Sequence, residues 1–385
     1  MKKLFIQFLL FFVTGQCSLF CQPIPVLDLT SAIGHEENIK LSDFVVSITY
    51  IPLFTSYDCL IDENPKIYVT KENIVSITKY SCHVFNRGNG AFIREIRHYG
   101  RGPGEYQSTS GFFNARIPAY FFTGWNGELV KYTLDGIFRG RVRIPEYKDN
   151  FDSPVIPMNY SFLNDSIIAC DFLIATGTEP RSLMIFNEKE QVLMLVQNNN
   201  QLTAKQKFTL STGETSFYHF NNELFFQNRY NDTVFKISLD KITPHFVLNR
   251  GKYRPSFESK WWSYEKQLQS NFISQPLYLE SKRFISFNFY FSRNRYFGLY
   301  DKVTSRLRVT DNSFGIKNDI DGFIDITFDY MNSDGELIGL IQANDLVSWI
   351  EKNPEKVKIL PPALQSLRNI EMEDNPVVVI AKCKE

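Results

Sequence analysis

The feature that most constrains the fold of this chain is a repeated pair of strands joined by a polar turn. In each copy an aromatic or β-branched run ends, a polar turn follows, and a second such run returns, which is the pattern of a β-hairpin. Five copies align on one apolar position each: Phe85, Tyr132, Phe186, Ile237 and Tyr300. Their spacings are 47, 54, 51 and 63 residues. Periods of about 40–50 residues with about four strands each are typical of β-propeller blades.

The remainder of the chain fits a sixth unit. Strand-like runs at 322–330 and 336–342 flank a polar turn, and Pro376–Lys382 is a strongly β-branched final strand. The N-terminal run Val26–Thr30 is expected to pair beside that last strand, because joining the two chain ends removes exposed sheet edges. Residues 258–272, inside the longest interval, and 344–352 have helical spacing or capping.

These patterns predict an all-β, six-bladed β-propeller with four-stranded blades and short helical insertions. A tandem of immunoglobulin-like domains is the rival architecture, but no linker rich in Pro, Gly or Ser separates the units. Composition agrees with strands, since the chain has 35 Phe and 19 Tyr among 385 residues, and aromatic residues favour pleated surfaces. Lys plus Arg equals Asp plus Glu, 42 each. Without a basic stripe for phosphates, nucleic acid is not an expected partner.

The first residues predict export. Lys2 and Lys3 precede an apolar run at residues 4–13, which is the pattern of a secretory signal peptide and too short to span a bilayer. We therefore assign residues 1–21 to a signal peptide and residues 22–385 to the propeller domain. No later stretch approaches about 18 unbroken apolar residues, so no transmembrane segment is expected. The predicted location is the periplasm, the cell surface or the medium.

Two cysteines lie in the signal region, Cys17 and Cys21, and each follows a large residue rather than a small one. A lipid anchor is therefore not expected. Export permits disulfide bonds, and a bridge between Cys59 and Cys82 is one alternative.

The most specific motif of the chain is His98–Gln107, which reads HYGRGPGEYQ. It resembles the Gly-Pro-Gly-Glu-Tyr signature of a family of six-bladed β-propellers common among exported proteins of Bacteroidota, itself similar to NHL-repeat propellers. Other stretches that resemble the same family are Leu41–Leu53, Asn231–Ile237, Tyr300–Thr304, Lys317–Gly322 and Asp374–Lys382. The resemblance covers roughly residues 40–382 and implies the fold and export rather than a chemistry. Many members look like lipoproteins, and the signal region of this chain departs from that pattern.

The glycine-rich motif and the helical insertion contain the candidate ligand-binding residues. In the motif these are His98, Arg101 and Glu105, since such a loop can present backbone N–H groups and side chains to an anion. The alternative is a tight crossover between blades that Glu105 holds in place. In the insertion they are Trp261 and Trp262, because exposed aromatic side chains stack on sugars and anchor protein partners.

An acidic cluster, Asp319, Asp321 and Asp325, with Asp329 beyond it, is the candidate metal site. Clustered carboxylates suit a divalent cation such as calcium. A turn followed by a polar strand face, which would send Asp325 and Asp329 to one side, explains the same residues without a metal. No cofactor is otherwise expected.

Two functions remain open on sequence. The first is a non-catalytic binding or interaction propeller that recognises a glycan, a peptide or a partner protein, because propeller loops converge around a central channel. The second is a metal-assisted hydrolase or lyase with its site in that channel. Three or more Asp, Glu or His side chains converging at the channel would favour the enzyme. None of the five His falls in a known catalytic motif.

Overall fold

A computed structural model describes residues 23–62, 64–79, 81–147, 156–210, 213–274 and 276–385. The predicted signal peptide, residues 1–21, lies outside the described residues. Within them, the strands form six sheets arranged as the blades of a propeller, which confirms the predicted fold. No helix of the described part is long and apolar enough to cross a membrane.

Each blade is an antiparallel sheet of four strands that succeed one another from the centre of the ring outward. In that order, the first blade contains β3 (Lys66–Val69), β4 (Asn73–Ile77), β5 (Cys82–Asn86) and β6 (Phe92–Glu95). The second contains β7 (Ser108–Asn114), β8 (Ala119–Thr123), β9 (Glu128–Thr133) and β10 (Phe138–Arg143). The third contains β11 (Pro157–Phe162), β12 (Ile167–Phe172), β13 (Arg181–Asn187) and β14 (Val192–Gln197).

The second half of the ring includes both N-terminal strands. The fourth blade contains β15 (Thr215–Phe220), β16 (Glu223–Asn228), β17 (Thr233–Ile237) and β18 (Ile242–Asn249), with β1 (Val26–Asp28) added outside. The fifth contains β19 (Leu277–Glu280), β20 (Phe284–Phe291), β21 (Asn294–Asp301) and β22 (Arg306–Asp311). The sixth contains β23 (Phe328–Met331), β24 (Glu336–Ile341), β25 (Val377–Cys383) and β2 (Val45–Pro52).

Short helices lie outside the blades, and two of the α-helices overlap the segments predicted as helical, 258–272 and 344–352. The α-helices are α1 (Leu29–Ala32), α2 (Leu41–Phe44), α3 (Tyr264–Gln269), α4 (Ala343–Lys352), α5 (Pro354–Ile359) and α6 (Pro362–Gln365). The 3-10 turns are Tyr57–Cys59, Gly251–Tyr253, Phe257–Trp261 and Ser366–Asn369. The segment predicted as one helix over 258–272 is thus a 3-10 turn followed by α3.

The ring closes through β2, which pairs antiparallel with β25 from Val45↔Cys383 to Pro52↔Val377. The expectation that Val26–Thr30 closes the ring is wrong. Residues 26–28 instead pair in parallel with β18 of the fourth blade. The eight-residue β2 covers the whole outer edge of β25, whereas the three-residue β1 is too short to do so.

Among the described residues, six apolar clusters form the core of the ring, one between each pair of neighbouring blades, and a smaller seventh cluster contains Ile174, Tyr230 and Phe257. Strand side chains alternate between the two faces of a blade, so each blade contributes to the two clusters that flank it. Between the first and second blades, for example, Val84 packs with Phe122 and Tyr132. Burying each large side chain contributes roughly 1.5–3 kcal/mol. This accounts for the high aromatic content.

The five repeated apolar positions all lie in the third strand of a blade, namely in β5, β9, β13, β17 and β21. Third strands are flanked by strands on both sides, so these apolar positions are buried inside the sheets or between blades. Cys59 and Cys82 are free thiols in two different interblade clusters, so the alternative of a bridge between them is not realised.

Candidate functional site

The six innermost strands surround a central cavity of about 950 Å³ to which all six blades contribute. These strands run in the same direction, because each four-stranded blade returns the chain to the face where it began. We call that face the crossover face, since the links between blades lie there, and the opposite one the hairpin face. We call this central cavity the channel, and it is lined by residues of every blade.

The channel walls combine aromatic rings with small polar groups. Tyr68, Tyr160 and Phe217, from the first, third and fourth blades, line it and are only half-buried. Asn159 and Ser216 lie beside them in sequence and also line it. Apolar and aromatic walls with a few placed polar groups are the usual lining of a ligand pocket.

Asn159 is held in place by a buried carboxylate behind the wall. Its backbone N–H and side-chain amide donate to the two oxygens of Asp171 at 2.7 Å and 3.0 Å. Burial raises the pKa of Asp171 to about 6. The wall at this point is therefore preorganised rather than free to adjust.

His219 lines the channel from β15 and is neutral at pH 7. Its Nε2–H donates to the carbonyl oxygen of Phe162 at 2.8 Å, and its ring stacks on the ring of Phe162 with centroids 4.0 Å apart. Burial lowers the pKa of His219 to about 4. This histidine therefore contributes packing and a fixed hydrogen bond rather than charge.

Lys66 is a positively charged residue of the channel wall. It lies at the start of β3, next to Pro65, whose carbonyl oxygen accepts a hydrogen bond from Tyr330 at 3.0 Å. Its surface is open to solvent in the channel, yet the surrounding walls lower its pKa by desolvation alone. Among the described residues no carboxylate pairs with it, so the channel contains an uncompensated cation.

Glu280 anchors the channel wall between the fourth and fifth blades. Its fully buried carboxylate accepts hydrogen bonds from Tyr218 at 2.8 Å, from His245 at 3.0 Å and from Lys302 at 2.6 Å. Burial alone would raise the pKa of Glu280, but the hydrogen bond from His245 and the charges of His245 and Lys302 hold it below its ordinary value. Groups from the fourth and fifth blades thus stabilise the buried negative charge of Glu280.

The glycine-rich loop, residues 98–107, lies away from the channel as the crossover between the first two blades. Glu105 accepts a hydrogen bond from the N–H of Gly102 at 2.6 Å, and Arg141 donates to the carbonyl oxygens of Gly102 and Glu105 at 2.8 Å and 3.0 Å. A side chain at Gly100 would place its Cβ 2.0 Å from the Glu105 carboxylate. The motif therefore packs tightly on itself.

The other two predicted residues of this loop are exposed. The ring of His98 stacks on Tyr132 with centroids 5.4 Å apart, and the guanidinium of Arg101 lies 4.4 Å from the ring centroid of Trp125. His98, Arg101 and Glu105 thus share one loop, but each side chain contacts a different partner. They remain candidate ligand contacts on the crossover side.

Trp261 and Trp262 are neighbours in sequence but have different surroundings. Trp261 packs against Phe257 and donates its Nε1–H to the carbonyl oxygen of Lys207 at 2.9 Å. Trp262 lies against Phe272, with the ammonium of Lys266 3.8 Å from its ring centroid. They do not form one aromatic platform.

The three predicted metal ligands each have partners within the chain. Asp319 accepts two hydrogen bonds from Ser42, at 2.9 Å and 2.6 Å, and Asp321 accepts one from Tyr50 at 2.9 Å. Asp325 accepts one from the N–H of Asn318 at 3.0 Å. Burial alone would raise the pKa of Asp319, but the hydrogen bonds from Ser42 hold it below its ordinary value.

The strand expected to carry Asp325 and Asp329 on one face begins only at Phe328, so that part of the prediction is wrong. Across the described ranges, no three or more His, Cys, Asp or Glu side chains gather closely enough to hold a metal ion. The observation that would have favoured the metal-assisted enzyme is therefore not found in this part of the chain.

None of the eight predicted site residues lines the channel. Sequence reasoning singled out neither Lys66 nor Tyr160 nor Phe217, and it placed Asp329, which does line the channel, with the acidic cluster. Lys66, Tyr160 and Phe217 lie in the first strand of their blades. Their position in the repeat could therefore have identified them, whereas the alignment of the repeats used the third strand.

Comparison with solved structures shows the same fold in two proteins from Bacteroides. One, from Bacteroides fragilis, is described as belonging to the exported proteins; it has a TM-score of 0.67 and 16% sequence identity, over 94% of this chain and 100% of that chain. The other is a member of the duf4221 family from Bacteroides vulgatus, with a TM-score of 0.53 and 10% identity, over 88% of this chain and 97% of that chain. At these identities the likeness concerns the fold alone.

No curated protein matches the sequence. A family model does, and it spans the whole ring. The model described as "Domain of unknown function (DUF4934)" matches residues 24–382, and the chain therefore belongs to the DUF4934 family.

Proposed function

We propose that this protein is an exported, non-catalytic binding propeller whose ligand, or an extended part of it, occupies the central channel. The observation that supports this most is the channel itself, a cavity of about 950 Å³. Ligand pockets for small and medium-sized molecules have about 300–1,000 Å³. The ligand classes that suit such a channel are a glycan, a peptide or a segment of a partner protein.

The walls support binding because rigid strands rather than loops position them. Tyr68, Tyr160 and Phe217 offer partly exposed aromatic surface, while Asn159 and Ser216 offer polar groups from neighbouring positions. Side chains on strands with fixed rotamers lose little conformational entropy when a ligand binds. The Asn159–Asp171 hydrogen bonds are one example of this preorganisation.

Export is supported by the signal-like N-terminal sequence and by the description of the Bacteroides fragilis relative. A metal-assisted hydrolase or lyase would need several metal donors in one place. Since the described residues offer no such group, binding is the function that the geometry supports better.

The test is a ligand screen with a channel-filling variant. Glycans, peptides and small molecules are screened by thermal shift, since a ligand at 100 times its Kd stabilises the folded state by about 2.7 kcal/mol. Ser216→Trp places an indole in the channel from β15. We expect it to weaken the binding of each hit at least about tenfold, because the added ring occupies ligand space.

The matched control is Val303→Trp, which adds the same side chain at a surface turn position that is 76% exposed. It should bind every hit as the wild type does. Equal binding by Ser216→Trp and wild type would show that the ligand binds elsewhere, for instance at the glycine-rich loop, and would overturn the proposal.

A further inference from the structure

Three carboxylates that line the channel, those of Glu280, Asp329 and Glu336, are paired with cations that lie outside the lining. Asp329 forms an ion pair with Arg295, which does not line the channel. Glu336 accepts hydrogen bonds from Arg87 at 2.8 Å and 2.9 Å, and Arg87 also lies outside the lining. These negative charges therefore stabilise the blades themselves and do not attract cations into the channel.

Glu280 is also paired from outside the channel, since its partners His245 and Lys302 do not line it. At the hairpin face two lining cations are likewise paired, Arg116 with Asp165 and Lys282 with Glu385. The charges that remain without a partner decide the electrostatic character of the channel.

Three lining lysines have no ion-pair partner among the described residues: Lys66, Lys382 and Lys384. Lys66 lies at the crossover end of the channel, at the start of β3, and the other two lie at the hairpin end, at the end of β25. Among the side-chain carboxylates of the described lining residues, only that of Asp334, in an exposed turn, has no cation partner. Among the described lining side chains, unpaired lysines therefore outnumber unpaired carboxylates, and no unpaired carboxylate stands opposite Lys66 at the crossover end, although the net charge of the whole chain is zero.

A cation inside the channel produces a stronger local electric field than the same cation on an open surface. Low-dielectric walls focus the field of Lys66 into the space between the blades. Desolvation also disfavours its charged form, in keeping with the lowered pKa of Lys66. An anion that displaces channel water and contacts this ammonium would regain that free energy.

We propose that the ligand of the channel is an acidic oligosaccharide whose uronate carboxylate contacts Lys66. This inference rests on the proposed function and names its ligand class. The unpaired ammonium of Lys66 selects an anion, and the partly exposed aromatic side chains of Tyr160 and Phe217 line the same channel, as suits contact with sugar rings. The hydroxyl of Ser216 gives a partner for sugar hydroxyls.

The experiment measures binding by isothermal titration calorimetry with the full chain and three probes. These are trigalacturonate, its carboxyl-reduced neutral form, and triglutamate as an acidic peptide. We expect trigalacturonate to bind at least about tenfold more tightly than the neutral form, with an affinity that falls as salt rises. Lys66→Met keeps the aliphatic stem and should remove this preference, because one charge-assisted contact is lost.

Lys189→Met is the matched control, since Lys189 is exposed in the turn between β13 and β14, and it should bind like the wild type. Equal affinity for the acidic and neutral saccharides, unchanged in Lys66→Met but weakened in Ser216→Trp, would overturn this inference and leave channel binding intact. Preference for triglutamate over both saccharides would overturn it in favour of a peptide. Binding of every probe unaffected by Ser216→Trp would overturn the proposed function as well.

Discussion

Replacing Glu280 by Gln is expected to lower the free energy of unfolding by about 3 kcal/mol. The substitution keeps the shape of the side chain but removes the charge that holds His245 and Lys302 between the fourth and fifth blades. It also turns an amide N–H₂ toward groups that already donate, such as the hydroxyl of Tyr218. Chemical denaturation followed by tryptophan fluorescence measures the effect.

Glu355→Gln is the control for Glu280→Gln. Glu355 also pairs with a lysine, Lys358, but its side chain is 81% exposed, and exposed pairs contribute little. Its stability should equal that of the wild type within about 0.5 kcal/mol. A loss below about 1 kcal/mol in Glu280→Gln would mean that the buried cluster is not ionised as described.

The same cluster gives a pH dependence with a definite sign. Because the pKa of Glu280 is held below its ordinary value of 4.5, its ionised form stabilises the folded state at pH values above that ordinary value. This contribution is lost as the pH falls below 4.5 through the folded-state pKa. Glu280→Gln should therefore lose less stability than the wild type between neutral and acidic pH, as denaturant unfolding at a series of pH values would measure.

The second large effect is expected at the ring closure. Ile51→Asp should lower the free energy of unfolding by about 4 kcal/mol, because it puts an unpaired carboxylate into an apolar cluster. Ile51 is 5% exposed in β2 and packs with Val378 and Ile380 of β25, between the sixth and first blades. Loss of this contact also uncovers the outer edge of β25. Thermal and denaturant unfolding measure the effect.

Val46→Asp is the matched control, since Val46 lies in the same strand but is 62% exposed. It should change stability by less than about 0.5 kcal/mol. Equal effects of the two substitutions would contradict the assignment of β2 as the closing strand of the sixth blade.

The blades were predictable from sequence because their signal is local. In each copy the apolar third strand and the polar turn after it are adjacent in the chain, and the alternation of strand side chains is visible in each copy. Ring closure was not predictable in detail. Both Val26–Thr30 and the run around Val45–Pro52 have strand character, and only the three-dimensional arrangement shows which one covers β25.

The channel was not predictable because its residues are far apart in sequence. Lys66, Tyr160 and Phe217 come from three blades, and nothing local distinguishes them from other strand residues. The conspicuous motif, by contrast, is explained largely by its own packing, since Glu105 and Arg141 hold the loop together. The distinctive local pattern at residues 98–107 therefore identified a crossover between two blades and did not identify the channel.

The two ends of the described chain join in one sheet, where β2 pairs with β25, and this pairing closes the ring around the channel. Hydrogen–deuterium exchange of the native protein, followed by mass spectrometry, tests it directly. Backbone amides of residues 45–52 that bond within the sheet should be protected to the same degree as those of Val377–Cys383, because β2 and β25 unfold as one unit. Rapid exchange over 45–52 beside a protected β25 would show an open ring and contradict the account.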